Sequence, residues 1–557
     1  MASTQVSCDF QNATVNNAGR DIINTLFGQS PPSLARSPLL TICLIVYYTG
    51  GQDILDKLQP ANMDPSKRTE CLQNTRNDIL KFVVEWANNK RNEETMLWIH
   101  GLAGSGKSAL TTTIANIFRD FGQLGAFLFF DRDVVERSDP TAVIKTLAHQ
   151  LSTSDPRIGA VVRTVIEGNP NMLMSPLPRQ FQKFILEPIL QLQPLTSTIV
   201  IVIDSFDECG TTEERETLLG VLAQDFSHLP IAVRTIITSR PENDICNALE
   251  LRHHIFGYEL DITLPSNSTD ILLYFRHRMS LICHKNKHLR LGADWPGEDI
   301  LLKLVQRARG LFVWASTASR FIDGYAPRKR LDTILRGEVT SGAEDSLDAL
   351  YITALESSGR WSDDDFVQDF QDILGVILVA RRPLSSVTID SFLQRPEGAP
   401  SLHIISLLAC LLQHSPTVRV LHPSFADFLM TKNRCKRELW FFDQPTYHRK
   451  MAIHCLHRME AVLQQNMCNM TLSVDLRTET LSEDISYSCL FWIDHMCTIE
   501  RDVTPIMNQL RDFLFRHLLH WFEAMSILRR SRDSISHLDH LLSWISVSCH
   551  PPCLSCQ

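Results

Sequence analysis

WIHGLAGSGKSAL, residues 98–110, decides how the rest of the chain is read. It satisfies G-x-x-x-x-G-K-[ST] at Gly101, Gly106, Lys107 and Ser108. Glycines at these places let the backbone curl until several N–H groups point at one phosphate chain. Lys107 adds a point charge for the β- and γ-phosphates, and the Ser108 hydroxyl can ligate Mg²⁺. The flanks agree with the loop. Residues 95–99 read as a short apolar strand, and SALTTTIANIF at 108–118 as an amphipathic helix starting near Lys107, with its positive end toward the same anion. A glycine-rich turn with a chance Gly-Lys-Ser would not need a strand before it and a helix after it. The candidate phosphate cradle is therefore Gly101, Leu102, Ala103, Gly104, Ser105, Gly106, Lys107, Ser108 and Ala109.

Two further motifs stand downstream. TIVIVI at 198–203 is a continuous β-branched run, as expected for a central parallel strand covered on both faces. It ends in Asp204-Ser-Phe-Asp207-Glu208. A carboxylate at the C-terminal end of a parallel strand sits beside the phosphate site, which suits Asp204 to hold Mg²⁺, directly or through water. Asp207 or Glu208 is then placed to orient the attacking water. Taken alone, this would be an ordinary acidic strand end; the phosphate loop upstream gives it chemical meaning. VRTIIT at 233–238 leads into Thr238-Ser239-Arg240-Pro241-Glu242. Arg240 is expected to emerge on the same edge and reach a γ-phosphate, a shape guanidinium suits well; the alternative is a plain surface arginine.

Composition bounds the remainder. The 557 residues suffice for about three to four domains, and 44% hydrophobic with 21% charged residues is ordinary for a globular chain. A net charge of −9 gives no electrostatic support to general nucleic-acid binding. The 15 cysteines are scattered. Cys549, Cys553 and Cys556 cluster without partners at zinc spacing, so reduced thiols of a cytoplasmic protein are expected. No secretory leader pattern opens the chain. LLTICLIVYY at 39–48 is too short to span a bilayer; it admits a buried strand, or sequence foreign to the fold such as a translated intron.

Residues 1–65 are expected to form a poorly ordered arm, and 66–92 a linker helix. In TRNDILKFVVEWANN at 75–89, Ile79, Phe82, Val83 and Trp86 recur at helical spacing, with Asn74 or Thr75 as cap. GAFLFF at 125–130 is a strand candidate. DPTAVIKTLAHQLS at 139–152 and QFQKFILEPILQL at 180–192 are helices, the first opened by Asp139 and Pro140. The alternation implies an α/β fold, a parallel sheet flanked by helices.

The phosphate loop, IVIVIDSFDE at 199–208 and TSRPE at 238–242 together resemble the NACHT family of signal-transducing ATPases, a STAND-class group of P-loop NTPases, in its fungal or nephrocystin-3-like form. NATVNNAGRD at 12–21, GLFVWASTASRFI at 310–322 and LHPSFADFL at 421–429 are also similar to large fungal members. The resemblance spans roughly residues 66–440. It implies a nucleotide-binding core over 93–242, a helical domain over 243–345 and a winged-helix-like domain over 346–440. It also implies a switch, closed with ADP and oligomeric with ATP. In related switches a winged-helix histidine touches the β-phosphate of ADP, a role that falls here on His422. Two departures stand out: Gly310-Leu311 lacks the proline many relatives use near adenine, and 441–557, though helical in pattern, has no repeat period.

The reading is a cytoplasmic ATP/ADP-binding switch with slow hydrolysis, in signalling or non-self recognition of the programmed-cell-death type. Its partners are nucleotide with Mg²⁺, further copies of itself and an unidentified protein; no nucleic acid and no membrane span are expected. The rivals are a metabolic P-loop kinase, which would consume ATP in proportion to a small acceptor, and a scaffold that binds nucleotide without hydrolysis.

Overall fold

The computed structural model describes residues 54–548, apart from 90, 196, 293, 338–339, 341, 396–400, 466–480, 500–502 and 532. The apolar run at 39–48, NATVNNAGRD and the cysteines at 549, 553 and 556 lie outside the described residues. The described chain divides into two compact units. One runs to Gln306 and includes Gly310–Phe312; the other comprises Arg307–Arg309 and the chain from Val313 onward.

The first unit is built on five parallel strands: β1 (Met96–His100), β2 (Leu124–Phe129), β3 (Ile199–Asp204), β4 (Val233–Ser239) and β5 (Ile255–Glu259). Their spatial order is β2-β3-β4-β1-β5. Period-two alternation splits each strand between two cores. Leu97, Ile99, Phe127, Phe129, Val200, Val202 and Ile236 pack with helices α1 (Asn77–Asn88) and α2 (Lys107–Asp120). Met96, Trp98, Leu128, Ile201, Ile203 and Ile237 pack on the other face, with α3 (Val143–Ser154), α4 (Pro156–Gly168) and α5 (Thr212–Gln224). Both faces are covered, so the central strands read as unbroken apolar runs. The expected parallel α/β architecture is present.

Several local expectations are corrected. Neither Asn74 nor Thr75 caps α1: its first flanking residue is Arg76, in left-handed backbone, and the Thr75 hydroxyl instead donates to Leu72 O at 2.6 Å. In the linker over 66–92 the α-helix runs only from Asn77 to Asn88, after a single 3-10 turn at Pro65–Lys67. The expectation of a poorly ordered arm fails over residues 54–65. Leu55 and Leu58 are buried in the second core, because the apolar residues of DILDKL meet α3 there. The helix at 180–192 is interrupted by a π turn over Gln182–Leu186.

The second unit is helical. It contains α7 (Ala343–Ser358) and α8 (Asp364–Val379); α6 (Pro265–Lys285) belongs to the first unit. Beyond α8, two short helices precede an antiparallel hairpin of β6 (Leu412–Gln413) and β7 (Arg419–Val420). Then come α9 (Pro423–Met430), α10 (Gln444–Val462), α11 (Glu483–Cys497), α12 (Thr504–Ile527) and α13 (Asp533–Ser548). Among the described residues no helix is long and apolar enough to cross a membrane.

Candidate nucleotide site

The strand order decides the site. β4 lies between β1 and β3, with His100 opposite Ser239 and Ile203 opposite Ile237. Three C-terminal strand ends therefore meet on one edge, carrying the phosphate loop, the acidic segment and TSRPE. That edge is where open parallel sheets bind ligands.

After His100 the chain turns through the loop and enters α2 at Lys107. Gly106 has φ of +97°, a conformation that L side chains avoid. Gly101 is held by space: a Cβ there would lie 3.2 Å from both Cβ and O of Leu260. The loop is braced from outside. The Arg76 guanidinium donates to Ser105 O at 2.6 Å and lies 4.8 Å from the centre of the Phe312 ring, while its backbone N–H donates to Asp270 at 3.0 Å.

Lys107 is buried, and its ammonium donates to the carbonyls of Gly101 (2.7 Å) and Leu102 (2.9 Å). Burial pulls its pKa down to about 8. Asp207 opposes this, Arg240 adds to it, and Asp204 and Glu208 oppose it again. The predicted charges thus act on one another within one site.

Asp204 is sealed from solvent. Thr238 donates its hydroxyl to one carboxylate oxygen at 2.6 Å, and the Ser205 hydroxyl lies 3.3 Å from the other. The Arg68 guanidinium pairs with that second oxygen. Burial opposes ionisation, but Arg68 and the hydroxyls of Thr238, Thr111 and Ser108 outweigh it and hold the carboxyl below its usual range. The Ser108 hydroxyl is 3.2 Å from that of Ser205.

Asp207 and Arg240, expected to have separate roles, are joined. Asp207 accepts from the Arg240 backbone N–H at 2.9 Å and lies 3.1 Å from its Nε. Glu208 accepts from the Arg132 backbone N–H at 3.3 Å, and burial raises its carboxyl to about 8, opposed chiefly by Arg132. Sequence reasoning missed Arg68 and Arg76. It also missed Arg215, whose buried guanidinium binds Asp207 O at 3.0 Å, Asp244 at 2.7 Å and Glu242, tying TSRPE to the acidic segment. Only their charge in apolar surroundings marked them, and a single sequence does not display those surroundings.

His422 lies in the second unit, where it caps α9. Its Nδ1 accepts from the Ser424 N–H at 3.1 Å and lies 2.7 Å from the Ser424 hydroxyl, which is 2.8 Å from the Tyr351 hydroxyl.

The edge fits a magnesium nucleotide. Oxygen donors from Ser108, Ser205 and Asp204 suit a hard divalent cation. The Ser105 hydroxyl is buried in the loop without a hydrogen-bond partner, a polar atom left over for a ligand to satisfy.

Residues 75–240 match the family model described as nephrocystin 3, N-terminal. The chain is 26% identical over 489 residues to the vegetative incompatibility protein HET-E-1 of Podospora anserina, covering 81% of this chain and 35% of that protein. It thus spans about a third of that relative's length. Among solved structures, a STAND protein with a tetratricopeptide repeat sensor from Pyrococcus horikoshii aligns at 14% identity and a TM-score of 0.42, over 88% of this chain and 60% of that one. A Walker-type ATPase of Pyrococcus abyssi aligns at 13% identity and a TM-score of 0.32, over 65% of this chain and 98% of that one.

Proposed function

From the premise that residues 75–240 form a NACHT/STAND-type domain of the nephrocystin 3 N-terminal kind, we propose that this chain is a nucleotide-operated switch. It binds ATP and ADP with Mg²⁺, hydrolyses ATP slowly, and assembles with further copies of itself when ATP is bound. The observation that carries this reading is the meeting of Lys107, Asp204, Asp207, Glu208 and Arg240 at one sheet edge.

The roles we propose for the residues are these. The amides of 102–108 cradle the phosphates, and Lys107 exchanges its two carbonyl partners for phosphate oxygens. Ser108 and Asp204 hold Mg²⁺, which when bound neutralises charge on the β- and γ-phosphates. Glu208 orients and deprotonates the attacking water. Arg240, aimed by Asp207, reads the γ-phosphate. His422 contacts the β-phosphate of ADP in the closed state. A water-activating carboxyl that burial holds near a pKa of 8 is mostly protonated at neutral pH, which favours slow turnover. The product of such a cycle is a conformational state.

The setting we propose is cytoplasmic signalling or non-self recognition, in keeping with a relative named for vegetative incompatibility. Mass measurement of the purified chain with ADP and with a non-hydrolysable ATP analogue tests the switch. A larger species with the analogue is expected; equal masses overturn the reading.

A further inference from the structure

Arg68 precedes α1 and the matched domain, yet its head is built into the site. Its Nη2 pairs with Asp204 Oδ2, its Nε donates to the Thr112 hydroxyl at 3.1 Å, and its guanidinium carbon lies 4.5 Å from the centre of the Phe129 ring and 5.7 Å from that of Phe127. Three residues on, the Cys71 N–H donates to the Thr113 hydroxyl at 2.9 Å. Residues 68–71 are thus fastened along α2, one turn beyond the metal-ligating Ser108. Both oxygens of Asp204 are in use: Oδ1 takes the Thr238 hydroxyl, and Oδ2 takes Arg68 and the Ser205 hydroxyl.

We propose that Arg68 is a tethered cation standing in for the metal at Asp204, so that loading of Mg²⁺–nucleotide expels it and frees residues 66–72 from α2. This rests on the reading of the edge as a magnesium–nucleotide site. A buried carboxylate needs a positive partner at all times, because its uncompensated charge is costly. Without metal, the arginine meets that need. A divalent cation held by the same oxygen meets it better, and the two positive groups then repel each other in surroundings that screen poorly. Competition has two consequences by linkage. The metal's contribution to nucleotide affinity is reduced by what it takes to displace Arg68, and the chain before α1 changes state with metal loading. Metal loading is thereby reported to the chain before α1. Arg68 is a positioning residue, and the contact is an internal brake on the metal-free site.

Two measurements on the full chain test this. In the parent, hydrogen exchange of the peptide covering 66–72 is followed with ADP plus EDTA and with ADP plus Mg²⁺. Exchange is expected to quicken at least about tenfold with Mg²⁺ only, the Cys71 amide included. In parallel, ADP affinity is measured with and without Mg²⁺ in the parent and in Arg68→Gln. The gain from Mg²⁺ should be about ten- to a hundred-fold larger in the variant, the worth of one charge-assisted contact. If ADP binds but Mg²⁺ leaves the exchange of 66–72 unaltered, the proposal is overturned while the site assignment stands; the parent alone decides this, so the folding of the variant does not matter. If ADP does not bind the parent at all, the site reading itself fails, and the proposal with it.

Discussion

At the sheet edge of the first unit, Asp204 is sealed beside Arg68, Lys107 lies among Asp207, Asp204 and Glu208, and Arg215 is buried against Glu242 and Asp244. Between α10 and α11 of the second unit, the His448 and His495 Nδ1 atoms are 2.8 Å apart, and His495 Nε2 is 2.8 Å from the Tyr487 hydroxyl, which accepts from the Arg381 N–H. Both regions bury titratable groups, with opposite outcomes. In the first, opposite charges lie close enough to keep Asp204 ionised. In the second, burial drives His448 down to about 3 and His495 well below the usual imidazole range, so the network is neutral. Burial neutralises a titratable group unless an opposite charge lies close, as Arg68 does to Asp204, whereas the charges acting on His448 and His495 are positive and add to burial. The first arrangement is poised for chemistry, and the second is a satisfied core.

The largest effect expected from breaking this contrast is on hydrolysis. Glu208→Gln removes the water-activating carboxylate and leaves Asp204 and Ser108 in place. ATP hydrolysis should fall by about 10²–10⁴-fold with binding nearly unchanged, and the protein should retain ATP after incubation. The parent rate should climb with pH toward about 8 as the Glu208 carboxyl ionises, and the variant should lack that limb. Bound nucleotide measured by chromatography decides it. A variant that returns to ADP as fast as the parent would transfer the role to Asp207.

Next is Lys107→Ala. Its ammonium is desolvated and bonded only to loop carbonyls at rest, so the fold should not depend on it. Nucleotide should lose about ten- to a hundred-fold in affinity, the worth of a charge-assisted contact. Titration with a fluorescent ATP analogue checks this, and thermal melting checks the fold. In the parent, an approaching phosphate should raise the Lys107 pKa from about 8, so binding should take up protons near that pH. Calorimetry in buffers of different ionisation enthalpy reads that uptake. Near-normal binding by the variant would remove Lys107 from the site.

Much of this edge is legible in the sequence. The phosphate loop, IVIVID and VRTIIT carry strong local signals, because glycines at fixed places and unbroken β-branched runs have few other uses. The strand order was not legible, since β4 enters between β1 and β3 through pairing that leaves no mark on any single strand. β5 was missed: HIFGYE at 254–259 is short, half exposed and broken by Gly257. Arg68 and Arg76 lie in polar sequence with no periodicity, and only tertiary contact reveals their use. The cap of α1 was misplaced because Asn74 and Thr75 have the right chemistry, while the backbone turns left-handed at Arg76 and starts the helix one residue later.

The neutral core of the second unit can be tested with acid. A histidine whose folded pKa is depressed contributes its full stability above the unfolded value near 6.5, and loses it as pH falls toward the folded value. For His448 that window runs from about 6.5 down to about 3. Each such group costs about 1.4 kcal/mol per pH unit inside its window. From pH 6.5 to 4.5 His448 alone should therefore cost the second unit about 3 kcal/mol, and His495, whose folded value is also well below the usual range, adds to that loss. Asp204, depressed by its partners, stays ionised over that range. Calorimetry or hydrogen exchange resolved by region should show the second unit weakening ahead of the first. A second unit that keeps its stability over that range would mean that the His448–His495 pair is not neutral in the fold.

The smallest effect expected concerns His422, where the contrast between ligand chemistry and packing meets in one residue. Its Nδ1 accepts from the Ser424 N–H, and the Ser424 hydroxyl bridges it to Tyr351, so His422 already has a structural use as the cap of α9. Loss of such a cap costs about 1 kcal/mol. His422→Leu would therefore destabilise the unit even if no nucleotide ever reached it, and that variant alone cannot separate the two roles. His422→Asn separates them, because asparagine is among the preferred capping residues and lacks the imidazole. Chemical denaturation should show the lost stability in the leucine variant and its recovery in the asparagine variant. The proposed contact with ADP predicts a different pattern in binding: both variants should weaken ADP relative to ATP by a similar factor, since a ligand biases a two-state switch only by its differential affinity. An asparagine variant with parental stability and a parental ADP/ATP ratio would leave His422 as a helix cap and nothing more.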